Sequence, residues 1–174
     1  MREKTCCFTG HRDIPSGAYQ RIFSKTEEMV EKLIKEGYLY FGAGGALGFD
    51  TIAAFTVLKL KEKYPDAILS VDTFRPSIAQ WAIEKKGVDI INDVSGGMAN
   101  MFETAARYNV PYILTFAEEG FSADMMYFFS KKIEKLYSLG VSDIILDPGF
   151  GFNKTMEQNF EIAKNMDCLK CFNL

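Results

Sequence analysis

The sequence predicts an α/β protein of about six parallel βα units in one domain, arranged as a partial (βα) barrel or as a doubly wound sheet. Short β-branched or aromatic runs alternate along the chain with longer helical patterns. Several of those patterns end in a helix-stop glycine before the next run, as in Lys35-Glu-Gly37, Lys85-Lys-Gly87 and Ser138-Leu-Gly140. Three of the runs finish on a polar side chain, Asp72, Asn92 and Asp147. Parallel βα proteins bind ligands at the carboxyl ends of their strands, so the three read as one site.

Taken in order, the strands are expected at 5–9, 38–41, 67–71, 88–92, 111–115 and 143–146, and the helices at 19–35, 51–63, 77–86, 101–108, 123–139 and 156–164. The strands are nearly continuous in apolar residues, which suits a parallel sheet covered on both faces. Right-handed crossovers then bring each helix back over the sheet. No low-complexity segment or linker interrupts the repeat.

The chain has 174 residues, 48% of them hydrophobic and 25% charged, enough for one cored globular domain. A formal charge of −3 with scattered Lys and Arg gives no basic face for nucleic acid. No apolar run reaches the length of a membrane span, and Met1-Arg-Glu-Lys leads into a strand instead of a signal-peptide core, so a cytoplasmic protein is expected. The four cysteines, Cys6, Cys7, Cys168 and Cys171, lack the partner ligands of a zinc site and the setting of a disulfide framework. Cys168-Leu-Lys-Cys171 has redox-motif spacing but does not open a helix after a strand, which favours ordinary thiols. His11 is the only histidine, and hydrogen bonding within its loop suits it better than metal ligation.

Two amino-terminal loops carry further signals. Cys6-Cys-Phe-Thr-Gly-His-Arg12 follows the first strand, and Phe41-Gly-Ala-Gly-Gly-Ala-Leu-Gly-Phe-Asp50 joins the second to a helix. Glycines at such a turn let backbone N–H groups approach a phosphate at a helix N-terminus, and they serve tight packing equally well. Asp72 and Asn92 have a second reading as helix caps, and Asp147 before Pro-Gly has turn chemistry of its own.

Residues 2–68, with these two loops, resemble the start of the SLOG Rossmann-like family in its YpsA-type branch. The resemblance implies a nucleotide or phosphate ligand held by Thr9, Gly10, Arg12, Gly44, Gly45, Gly48 and Asp50. From Leu69 onward the chain resembles dihydropteroate synthase, the folate-pathway (βα)8-barrel enzyme. The residues are Ser70-Val-Asp-Thr-Phe-Arg75, Ile90-Ile-Asn-Asp-Val-Ser-Gly-Gly97, Val110-Pro-Tyr-Ile-Leu114 and Asp147-Pro-Gly-Phe-Gly-Phe-Asn-Lys-Thr155. That resemblance implies Asp72, Asn92 and Asp147 as polar contacts to a pterin ring, with Phe152 on the rim. A pterin edge sets amino and ring N–H donors beside acceptors, which suits a carboxylate and an amide.

In the reaction of that family, an aminobenzoate amine displaces pyrophosphate from a pterin methylene, with magnesium and basic residues at the leaving group. The family's Ser-Arg-Lys-Ser motif and its magnesium-holding Asn have no counterpart here. Its Met-His-Met stretch is replaced by Thr115-Phe-Ala-Glu118. The expectation is therefore a single α/β domain over 1–174, a chimera of segments 1–68 and 69–174, that binds a pterin and is catalytically incomplete. Magnesium enters only if transferase activity survives, and no catalytic residue is assigned. The alternatives are a nucleotide-binding module of the SLOG type, or a chimeric or designed fold without a function. Arg12 with the Gly44-Gly45 turn is a candidate for pyrophosphate, and a homodimer covering open sheet edges is the expected assembly.

Overall fold

A computed structural model describes residues 4–43, 47–98 and 100–174. The described chain divides into two compact units, residues 1–72 with 81–89 and residues 73–80 with 90–174, where the sequence reading expects one domain with a join at Leu69. Six strands are present among the described residues, each followed by a helix.

The first unit holds β1 (Thr5–Cys7), α1 (Tyr19–Lys35), β2 (Tyr40–Ala43), α2 (Phe49–Lys61) and β3 (Ile68–Asp72). β1 pairs in parallel with β2, and β2 with β3. Its core is Val30, Phe41, Val57, Leu60, Leu69, Ala82 and Val88, with Cys6 of β1 packed against it, as expected when each helix contributes one apolar stripe. Ion pairs Lys59–Glu27 and Lys63–Glu31, both at 2.6 Å, lie along the outer edge of the α1–α2 packing. Asp89 closes the bottom of this unit: its N–H donates to Leu69 O (2.9 Å), and its carboxylate accepts from Leu69 N–H (2.8 Å) and Lys61 Nζ (2.9 Å).

The second unit holds β4 (Ile90–Asp93), α4 (Met101–Tyr108), β5 (Tyr112–Thr115), α5 (Ser122–Ser138), β6 (Ile144–Asp147) and α6 (Met156–Lys164), followed by a 3₁₀ segment, Met166–Phe172. The helix α3 (Pro76–Lys86) gives its first five residues to this unit and the rest to the first. β5 runs parallel to β4 on one side and to β6 on the other. Aromatic rings fill the core, with Phe116, Phe128 and Phe129 in mutual contact at centroid distances of 5.3 to 6.3 Å.

The three glycines read as helix stops all adopt left-handed backbone, with φ of 85° at Gly37, 62° at Gly87 and 87° at Gly140. Helices α1, α4 and α6 begin and end where the sequence predicts. Strand ends shift by at most two residues: β1 stops at Cys7 instead of Thr9, and β2 begins at Tyr40 instead of Tyr38. Tyr38 N–H bonds back to Leu33 O at the end of α1, so it still belongs to the helix terminus.

Candidate functional site

Side chains alternate between the two faces of a strand, and register fixes which residues of neighbouring strands share a face. In the second unit Asn92 lies opposite Ile113 and Thr115 opposite Asp147. One face therefore carries Asn92, Ile113, Thr115, Ile145 and Asp147, and the other carries Ile91, Asp93, Tyr112, Leu114 and Ile144. The second face is sealed by helices: Ile91, Asp93, Tyr112 and Leu114 are fully buried, and Phe102 of α4 sets its ring edge-on to Tyr112. The first face is partly open, with Ile145 46% exposed. Asn92 and Asp147 thus reach the same face at the carboxyl ends of β4 and β6.

Asn92 Oδ1 is buried and has no hydrogen-bond partner among the described residues. An acceptor stranded in this way costs about 1–3 kcal/mol, and native proteins rarely keep one without a use. The Asn92 backbone is held on the other hand, its carbonyl accepting from Thr73 N–H at 3.0 Å. Asp147 is held through both carboxylate oxygens. Oδ1 accepts from Gly149 N–H (2.9 Å), and Oδ2 accepts from the Thr115 hydroxyl (3.2 Å). Each oxygen keeps acceptor capacity, because a carboxylate offers roughly four lone-pair sites.

The loop leaving β6 is built to stay in place. Gly149 has φ of 67°, and a Cβ there would lie 2.2 Å from Phe116 O, so only glycine fits between Pro148 and Phe150. Lys154 Nζ donates to Phe116 O (2.5 Å), Gly149 O (3.0 Å) and Phe152 O (3.1 Å), and sits 4.5 Å from the Phe116 ring centroid. Burial pushes its ammonium pKa below the usual lysine value, against the pull of Asp147 and Glu118. With its three protons on three carbonyls, Lys154 ties the loop and offers no proton to a ligand. Phe152, 41% exposed, rides on that loop.

Behind the open face, Asp93 organises the loop after β4. Its carboxylate accepts from Ser95 N–H (2.8 Å), Ser95 Oγ (2.6 Å), Gly97 N–H (2.8 Å) and the Tyr112 hydroxyl. The Tyr112 phenol is driven far above its ordinary pKa by burial, then by the Asp93 charge and hydrogen bond.

Asp72 ends β3 in the first unit and is exposed. Thr9, Gly10 and Arg12 lie in an exposed loop after β1, and Gly44 and Gly45 lie outside the described residues. Gly48, with φ of 83°, precedes α2, and a Cβ on it would meet Arg12 O at 2.2 Å. Phe49 N–H, at the start of α2, donates to His11 O (3.0 Å), and Asp50 places a negative charge in the first turn. The glycine therefore serves close packing of the two loops. Among the described residues no three His, Cys, Asp or Glu side chains gather into a preformed metal cage. No described helix is long and apolar enough to cross a membrane.

Three residues that shape this site escaped the sequence reading: Thr115, Asp93 and Lys154. Thr115 satisfied the criterion that selected Asp72, Asn92 and Asp147, a polar residue closing a strand.

Parallel βα units with an unpartnered amide oxygen and an oriented carboxylate at their strand ends define a ligand-binding βα protein. Its family follows from comparison: the chain belongs to the pterin binding enzymes, whose sequence model matches residues 53–173. It is 36% identical over 175 residues to the folic acid synthesis protein of Pneumocystis carinii, covering 83% of this chain and 24% of that protein. It is 31% identical over 171 residues to dihydropteroate synthase of Streptococcus pyogenes, covering 87% of this chain and 63% of that enzyme. The chain thus spans less than two thirds of either relative. The structure of dihydropteroate synthase from Anaplasma phagocytophilum with bound 6-hydroxymethylpterin-monophosphate superposes with a TM-score of 0.75 at 22% identity, over 93% of this chain and 72% of that one. Of the two expected forms, the partial (βα) barrel is therefore the fold. The match takes in most of segment 1–68, so the amino-terminal units belong to the same architecture as the rest.

Proposed function

We propose that the chain binds a pterin on the open face of its second unit, through Asn92 and Asp147 with Phe152 at the rim, and does not turn it over. The unpartnered Asn92 Oδ1 carries this reading: a buried acceptor beside an oriented carboxylate matches a ligand edge rich in N–H donors. The pterin monophosphate bound by the Anaplasma enzyme presents such an edge. Asp147, preset by Gly149 and Thr115, takes donors without paying for reorganisation, and Asn92 offers an oxygen that otherwise goes unmatched. Phe152 adds an apolar surface for the flat ring.

The absence of turnover rests on positive charge. Displacing pyrophosphate needs cationic groups where the leaving charge develops. The Lys154 ammonium, the cation that ties the loop after β6, is committed to three carbonyls. The nucleotide reading of the amino-terminal loops has no comparable support, because Gly48 and Phe49 N–H are engaged in packing against 11–12.

Calorimetric titration of 6-hydroxymethylpterin into the wild type, Asn92→Ala, Asp147→Asn and Asp72→Asn tests the proposal. Binding that weakens about tenfold or more in the first two variants is expected, the scale of one charge-assisted or buried hydrogen bond. Full-strength binding in both variants sinks it. Binding of a nucleotide, lost in Arg12→Ala and indifferent to Asp147→Asn, would favour the other reading instead.

A further inference from the structure

We infer that Thr115 is a positioning residue of this site, its hydroxyl fixing the Asp147 carboxylate in the orientation that meets the ligand. The inference rests on the pterin reading above and goes beyond it by assigning a residue that touches the site through another.

Thr115 closes β5, the middle strand of the second unit, and so stands between the strands that carry Asn92 and Asp147. Register sets it directly opposite Asp147 and on the same face. Its side chain is wholly buried, so its hydroxyl must find a partner inside the protein. The partner is Asp147 Oδ2 at 3.2 Å. Gly149 N–H meets the other oxygen at 2.9 Å, from the loop that follows. A carboxylate has one soft torsion about its Cβ–Cγ bond, and donors from two directions hold its plane. One donor comes from the adjacent strand and the other from a loop locked by a left-handed glycine and by Lys154, so the plane is referred to the rigid part of the unit.

A threonine whose hydroxyl merely satisfies itself would leave ligand binding unaffected when that hydroxyl is removed without a change of shape. Thr115→Val makes that change and Thr115→Ser restores the donor. Titration of 6-hydroxymethylpterin is expected to show about tenfold weaker binding in Thr115→Val and binding within about twofold of wild type in Thr115→Ser, on the scale of one hydrogen bond to a charged group. Melting followed by circular dichroism shows that both are folded, and Thr115→Ala replaces Thr115→Val in the comparison if the latter is not. Wild-type affinity in the hydroxyl-free variant overturns the inference, as does an equal loss in Thr115→Ser. A wild type that binds no pterin at all overturns the reading beneath it and the inference together. Binding that is lost in Asn92→Ala but untouched in Thr115→Val overturns the inference alone.

Discussion

The Tyr112 hydroxyl donates to the Asp93 carboxylate, and both side chains are fully buried on the helix-facing side of β4 and β5. Asp93 spends its remaining acceptor capacity on Ser95 and Gly97, so one carboxylate couples the strand pair to the loop after β4. Tyr112→Phe removes one donor and keeps the ring that packs on Phe102. A loss of about 2 kcal/mol is expected in urea unfolding, the usual worth of a hydrogen bond to a charged group.

The same pair sets a pH dependence. The Tyr112 phenol is held protonated in the folded protein, well above the ordinary value of 10.0 that applies in the unfolded chain. Above pH 10 the unfolded state releases a proton that the folded state keeps, so stability is full below that pH and falls as pH rises. The wild type should lose stability there more steeply than Tyr112→Phe, by about 1.4 kcal/mol per pH unit. Parallel slopes for the two proteins in unfolding from pH 9.5 to 11 would remove this account.

Asn92 shows the opposite balance between stability and use. Its Oδ1 is a buried acceptor without a partner, so it detracts from folding in the protein alone. Asn92→Val removes the orphan and keeps a strand-forming residue at the end of β4. The variant should be more stable by about 1 kcal/mol while losing pterin binding, the pattern of a site kept at the expense of stability. Thermal melting and titration on the same preparation measure both effects, and a variant that is less stable and binds normally would contradict them.

Much of this architecture was legible because local rules and the fold agree. Gly37, Gly87 and Gly140 stop helices by adopting the left-handed backbone that glycine alone takes freely, and α1, α4 and α6 fall where periodicity puts them. Asp147 was legible because Asp-Pro-Gly after an apolar run marks a strand end. Asp93 was not, because its importance lies in the four donors around it and three of them are backbone or distant side-chain groups. Lys154 reads in sequence as a surface cation, and only the loop's curvature turns its ammonium toward three carbonyls. Gly48 was not legible as a packing residue, since a glycine that packs two loops and one that cradles phosphate look alike in sequence until it is seen against Arg12 O.

Glu161 of α6 caps the start of α5 from a distance, accepting from Ser122 N–H (2.9 Å) and Ser122 Oγ (2.7 Å) while Asn165 Nδ2 donates to its other oxygen (2.7 Å). Those bonds from Ser122 hold the Glu161 carboxyl below its ordinary value of 4.5. A depressed carboxyl adds stability above the unfolded value and loses it as pH falls through the folded one. Glu161→Gln should therefore melt lower than wild type at pH 7, with the gap closing as pH falls below the ordinary value of 4.5. A gap that is constant from pH 7 to pH 3 would mean that the charge contributes nothing to the cap.

Gly149 and Gly151 separate two kinds of glycine requirement in one loop. Both have positive φ, 67° and 81°, so alanine at either position adopts a left-handed backbone at about 1–2 kcal/mol. At Gly151 nothing lies within 4 Å of the added Cβ, and that conformational cost is the whole expectation. At Gly149 the Cβ would enter Phe116 O at 2.2 Å and approach Thr115 Cγ2 at 3.1 Å, and backbone atoms cannot yield as a flexible side chain does. Gly149→Ala should cost about 3 kcal/mol or more and displace the loop that orients Asp147, so pterin binding fails as well. Gly151→Ala should fold with binding near wild type. Urea unfolding and titration of the two variants side by side check the contrast, and equal losses at the two positions would show that close approach to Phe116 is not what fixes the glycine.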